Sequence, residues 1–160
     1  MKILEIDYFE KLLDSLLEFK GSTTYFLESL RNEALMVEIK SQTTTSNVIK
    51  RETTLFFNSK DQPIIFSKSY LNIHHLLEKE LELVKRCEIP LGKLFMQLNS
   101  LDGIKKENVT CSTVFDEEIC TNLNISPSKL FIKRYDFNVS GRNVGEIIEI
   151  FNATTLTRIF

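Results

Sequence analysis

The sequence predicts an α+β domain, a single antiparallel sheet of about six strands with flanking helices. Three observations carry this. Six segments alternate apolar and polar residues with period two, as strands do. Most of them are joined by short polar turns, as hairpins are. The helical stretches are grouped between runs of strands instead of alternating with every strand, which argues against a doubly wound sheet.

The elements follow in order. Asp7-x-x-Glu10 has the spacing of a capping box, and Tyr8, Phe9, Leu12, Leu13, Leu16 and Leu17 follow on one helical face. "KGSTT" (20–24) breaks and recaps the chain, so a second short helix is expected to run to about Arg31. In "ALMVEIKSQ" (34–42) Leu35, Val37 and Ile39 alternate with Met36, Glu38 and Lys40, a strand. "VIKRETTLFF" (48–57) is the second strand, "NSKDQ" (58–62) the turn, and "PIIFSKSYL" (63–71) its hairpin partner. Ile73, Leu76, Leu77, Leu81 and Val84 form one stripe of a helix expected over 73–87, ending at Cys87. Pro90 opens another helix at the first position, where its missing N–H costs nothing. After the Asp102-Gly103 turn, "ENVTCSTVF" (107–115) reads as a strand, and Asp116, Glu117 and Glu118 start a short helix whose dipole favours acids there. "SPSK" (126–129) is a loop, and 130–153 form a long hairpin closed near Ser140-Gly141-Arg142-Asn143.

Composition narrows the function. The 160 residues suit one domain, 1–160, large enough for a real core. A net charge of −2 argues against nucleic acid as a partner, since phosphate binding needs a basic surface. No apolar run reaches the roughly 18 residues of a membrane span. "MKILEIDYFEKLL" has early acids and helically spaced apolar positions, unlike a signal or transit peptide. Cys87, Cys111 and Cys120 are an odd set without C-x-x-C spacing, which suits a reducing compartment. The richness in Ile, Asn, Lys and Phe is a bias of AT-rich genomes, plastid genomes included. Three Asn-x-Ser/Thr sequons, at Asn108, Asn138 and Asn152, read as accidents of an Asn- and Thr-rich chain.

Three features stand out chemically. Arg51 shares a strand face with Ile49, Thr53, Leu55 and Phe57, and burying a guanidinium demands an anionic partner. That partner is an internal acid or a ligand carboxylate, which the planar fork grips with two bonds; snorkelling from a sheet end is the plainer reading. Glu149 sits between Ile147 and Phe151 on another strand face, and Arg134 alternates with Leu130 and Ile132. An inward Arg and Glu are either a structural ion pair or two ends of a polar pocket, with the Glu a candidate proton donor. Gly92 in "EIPLGKLF" (88–95) costs a helix roughly 1 kcal/mol relative to Ala, so its use is close approach of the backbone to a neighbour or an anion. A permissive helix–helix turn explains it equally well. His74 and His75 diverge on a helix and have no third ligand nearby, so no metal is expected. There is no phosphate-cradling loop and no G-x-S-x-G.

Taken together, "RETTLFF…QPIIFSKSYL", "EIPLGKLF" and "SGRNVGEIIEIF" resemble the chorismate pyruvate-lyase family, in its plastid and cyanobacterial branch. The likeness covers about residues 10 to 155, and "GSTTYFLESL" (21–30) resembles the family's first ligand-contacting turn. It implies a helix-turn-helix flap over the ligand, about residues 72–98. It implies a carbon–oxygen lyase that splits chorismate into 4-hydroxybenzoate and pyruvate without cofactor or metal, probing no partner beyond that small molecule. Arg51 and the Leu91 N–H would hold the ring carboxylate, with Gly92 allowing the approach, and Glu149 would contact the oxygen at the far end. Thr23 stands where the family tends to place Met or Leu against the ligand, and Arg134 would be a supporting basic residue. The last hairpin is one residue longer before Glu149 than the family pattern. The implied setting is quinone biosynthesis, in the chloroplast stroma if the gene is in the plastid and in the cytoplasm otherwise. The effector-sensing domains of GntR-type regulators, which share the UTRA-like fold, are the competing resemblance. They imply a non-catalytic module for a small acid, normally behind a winged-helix domain for which 160 residues leave no room.

Overall fold

The computed structural model describes residues 2–86, 88–99 and 103–160, the side chains of 2–7 excepted. Cys87 and Asp102, the expected helix end and turn, lie outside the described residues. Six antiparallel strands form one sheet: β1 (Leu35–Thr45), β2 (Val48–Phe57), β3 (Pro63–Asn72), β4 (Ile104–Val114), β5 (Leu130–Val139) and β6 (Arg142–Phe151). Their spatial order is β1-β2-β3-β6-β5-β4. Two three-stranded meanders therefore meet at the centre through β3 and β6, and β1 and β4 are the edges.

The helices are α1 (Lys2–Glu18), α2 (Thr23–Arg31), α3 (Glu78–Arg86), α4 (Leu91–Leu98), α5 (Glu117–Asn122) and α6 (Ala153–Thr157). On one sheet face α1, α2 and α6 bury Leu12, Leu16, Leu27 and Leu156 against Leu55, Phe57 and Phe151. On the same face α3 and α4 bury Val84, Leu94 and Phe95 against Ile49, Tyr135, Phe137 and Ile147. The opposite face is covered near its centre by α5, which packs Ile119 and Leu123 on Phe66, Ile148 and Ile150. At about 25 cal/mol per Å² of buried apolar surface, these clusters are the main favourable contribution to folding.

Several expectations shift. The first helix begins at Lys2, so Asp7 lies inside it instead of capping it. The helix expected over 73–87 is split. A 3-10 turn, Ile73–His75, is capped by the Asn72 side chain, Leu76 is extended, and α3 starts only at Glu78. The cause is Glu80, whose carboxylate accepts from the Leu77 N–H at 2.8 Å and fixes a new helix start. Pro90 is the N-cap of α4 and Leu91 its first residue. α6 was not expected; Asn152, read as part of an accidental sequon, is its N-cap in a reciprocal capping box with Thr155. No helix among the described residues is long and apolar enough to cross a membrane.

Candidate functional site

The two apolar clusters on the helix-covered face do not touch everywhere. Between them the strands present polar side chains, and the sheet register fixes where each stands. Arg51 pairs with Ser69, Ser69 with Ile147, and Ile147 with Tyr135, giving one row across the sheet. The next row, two residues along, is Thr53, Ser67, Glu149 and Lys133. Arg51 and Glu149 thus lie two strands apart and one row apart, roughly 12 Å between Cα atoms from strand spacing and rise.

A cavity covers these rows. Its floor includes Arg51, Thr53, Ser67, Ser69 and Glu149. Its roof is made by the N-termini of two helices: Ser22, Thr23 and Thr24 from α2, and Pro90, Leu91 and Gly92 from α4. Both helices thereby turn their positive dipole ends toward the same space, and α4 has no side-chain cap of its own. Gly92 is where they meet: a Cβ there would sit 2.7 Å from the Ser22 Oγ. The close approach expected of this glycine is real, and the observed neighbour is the cap of α2, which also accepts from the Tyr25 N–H at 3.3 Å.

The charged groups are buried. Arg51 is 1% exposed, with Lys106 at 5%, Lys133 at 1% and Glu149 at 5%. Thr23 donates to Glu149 Oε1 at 2.8 Å, and the Lys106 ammonium, 3.7 Å from the same oxygen, donates to Thr23. Lys106 stands in the row beyond Tyr135, paired with Phe137, and reaches Glu149 by lying over the Tyr135 ring, 4.7 Å from its centroid. Burial pushes the pKa of Lys106 down, with Glu149 opposing. Burial, helped by the Glu149 charge, raises the Tyr135 hydroxyl well above its ordinary range. Burial and then the Lys106 charge lower Lys133 to about 8.

The candidate residues read from the sequence divide as follows. Thr23, Arg51, Leu91, Gly92 and Glu149 all line the cavity. Arg134 does not. It projects from the other side of β5, is exposed, and pairs with Glu146 at 3.1 Å. Its neighbour Lys133 is the inward residue, because β5 turns Phe131, Lys133, Tyr135 and Phe137 toward the helices. The aromatics on that side were the signal for the correct phase. Lys106 was missed because the strand was expected to begin at 107; it begins at Ile104.

No protein-family model matches the chain, and no curated protein matches it. Solved structures do. PhnF from Mycobacterium smegmatis is 13% identical, with a TM-score of 0.57 over 86% of this chain and 66% of PhnF. The ligand-binding domain of a GntR-family transcriptional regulator from Bordetella bronchiseptica is 16% identical, with a TM-score of 0.52 over 74% of this chain and 82% of that one. A GntR-family regulator from Enterococcus faecalis V583 gives 16% and 0.52 over 73% of this chain and 92% of its own. At these identities the likeness establishes the fold: the single six-stranded sheet with flanking helices is that of the UTRA-like domains of GntR-type regulators.

Proposed function

We propose that this chain is a binding domain for a small organic acid, held in the cavity between α2 and α4. The observation that carries the reading is the buried Arg51 in the cavity floor, beneath two converging helix N-termini. Donors and positive dipole ends so placed suit a carboxylate. At the far end, Glu149, Thr23, Lys106 and Tyr135 suit an oxygen substituent. The likeness to the Bordetella bronchiseptica ligand-binding domain supports binding over catalysis.

A second reading is favoured by one specific feature, the buried Glu149–Thr23–Lys106 group opposite Arg51. A proton-carrying group at the far end of a ring is what elimination of pyruvate from chorismate needs, yielding 4-hydroxybenzoate. In that reaction Arg51 and the Leu91 N–H would position the ring carboxylate, and Glu149 would act on the ether oxygen. The plastid setting and a quinone-precursor role belong to this reading.

In either case the cavity must widen. The cavity holds about 510 Å³ of atom-free space, partly open to solvent. The roof is drawn together where Gly92 meets the Ser22 Oγ. A ring enters only when the roof helices separate, so the flap expected from the sequence, α3 and α4, is the natural moving part.

The test is a titration of the purified chain with 4-hydroxybenzoate by calorimetry, and incubation with chorismate followed by chromatography. Binding without product above the uncatalysed rate supports the binding domain. Product formation supports the lyase. Neither binding nor product sinks both. Arg51→Lys keeps the charge and loses the fork, and is expected to weaken binding at least about tenfold, some 1.4 kcal/mol; unchanged affinity would remove Arg51 as the anchor.

A further inference from the structure

Lys133 is buried as deeply as Arg51, yet it is not part of the cavity wall. Its ammonium donates to two backbone carbonyls, Leu16 O at 2.6 Å and Phe19 O at 2.5 Å. Leu16 is in the last turn of α1 and Phe19 is just beyond its end. Both carbonyls belong to the set that a helix leaves without internal partners at its C-terminus, where a cation is favoured. Lys133 therefore closes α1 from a strand of the sheet. Three residues past Phe19 is Ser22, the N-cap of α2, and the following residue is Thr23. The α1–α2 corner is thus pinned on one side by Lys133 and carries on the other the hydroxyl that donates to Glu149. Lys133 and Glu149 are themselves paired across β5 and β6. A charge buried at this depth is costly, and burial lowers its pKa, a cost that the two carbonyl bonds offset in part.

We propose that Lys133 is a positioning residue for the cavity: it fixes the α1–α2 corner and so sets Thr23 against the Glu149 end, without touching the ligand. This rests on the reading of the cavity as a small-acid site. It also makes α1 the element that feels occupancy. A ligand that takes the Glu149 hydrogen bond from Thr23 loosens one of the two ties on the corner, and Lys133 carries the other into the last turn of α1.

The experiment compares the wild-type chain with Lys133→Met, Lys133→Arg, Thr23→Val and the Lys133→Met/Thr23→Val pair. Two readouts are taken: affinity for 4-hydroxybenzoate, and hydrogen exchange of the Tyr25 and Phe26 amides, which bond to the Ser22 side chain and carbonyl. Lys133→Met is expected to weaken binding about tenfold and to speed exchange at Tyr25 and Phe26 by about tenfold or more, with β3 and β6 amides unchanged. Lys133→Arg, which keeps the cation, is expected to recover most of both. In the double variant the affinity losses should fall well short of additive, because Lys133 acts through Thr23. Additive losses, or exchange that quickens evenly across the sheet, would overturn the proposal. If the wild type binds no 4-hydroxybenzoate, the small-acid reading fails, and the exchange readout alone still decides whether Lys133 holds the corner. If Lys133→Met does not fold, Lys133→Gln, which keeps a donor without the charge, replaces it under the same criteria.

Discussion

Arg51 and Glu149 are both charges placed in strand faces that are otherwise apolar, and alternation alone exposes them. Period-two reading set Arg51 on the face of Ile49 and Leu55 and left snorkelling as the plainer account; it is instead among the most buried of the described side chains. The same reading failed for β5, where both faces are apolar because α5 covers the second one. Leu130 and Ile132 face α5, so they drew Arg134 into the expected site although it lies outside. Lys106 and Lys133 were illegible for a different reason: long cations are ordinarily surface residues, and only the register shows them beneath α1 and α2. A test at this scale follows from the Glu149–Lys106 contact. Glu149→Gln keeps an acceptor for Thr23 but leaves the Lys106 ammonium buried without its countercharge. Breaking such a pair costs about 3–5 kcal/mol, so a loss of about 3 kcal/mol is expected in urea unfolding. Lys106→Met added to Glu149→Gln should recover at least half, since the stranded charge is then gone; no recovery would show that the pair is not the source of the loss.

At the scale of elements, the strands and their hairpins were legible because most alternate cleanly between polar turns, β5 with its two apolar faces excepted. The helix expected over 73–87 was not, because its continuous apolar stripe hides a tertiary contact. Glu80 is fully buried, and Arg142 on β6 grips it with two bonds, Nη1 to Oε1 at 2.7 Å and Nη2 to Oε2 at 3.0 Å. Asn99, just past α4, donates to the same carboxylate at 3.3 Å, and Ser140 in the final turn donates to Asn99 at 2.9 Å. Burial pushes the Glu80 pKa up, but Arg142, the Leu77 N–H and Asn99 outweigh it and hold the carboxyl below its usual range. These contacts tie the base of the α3–α4 unit to the β5–β6 turn, far from the Leu91–Gly92 end that roofs the cavity. If the proposed flap opens, Glu80 stands at its hinge, and the contacts that must part are the Gly92–Ser22 approach and the Lys93–Glu28 pair at 2.9 Å. Glu80→Gln is expected to destabilise the fold by about 2–3 kcal/mol, less than a fully buried pair because Arg142 is partly exposed. It should also quicken hydrogen exchange in α3 and α4 before that of the sheet. Exchange that rises equally everywhere would show that the contact supports the whole fold and not the flap.

The whole molecule carries its buried lysines as a stability cost, and that cost has a pH signature. The ordinary lysine pKa is 10.5, and in the folded chain Lys133 is lowered to about 8. A group lowered on folding binds its proton more weakly in the native state than in the unfolded one. Its contribution is therefore unfavourable below pH 8, and it is relieved as pH rises from 8 toward 10.5. Lys106 is lowered in the same direction, again first by burial. Tyr135 works the other way. Its hydroxyl resists ionisation in the fold, so its contribution is intact below the ordinary tyrosine value of 10.0 and is lost as pH climbs past it. Between pH 7 and about 9.5 the lysines outweigh Tyr135, and Lys133 should add on the order of 1 kcal/mol of unfolding free energy across that window once solvent screening is allowed for. The comparison that isolates the buried-lysine contribution is urea unfolding of wild type and Lys133→Met at both pH values, because the titrating groups that do not feel Lys133 cancel in the difference, leaving Lys133 and its coupling to Lys106 and Glu149. The wild type should gain on Lys133→Met by about 1 kcal/mol as pH rises. A difference that stays flat would mean that the two carbonyls of α1 repay the burial of the charge in full, and Lys133 would then be a stabilising cap in addition to a positioning one.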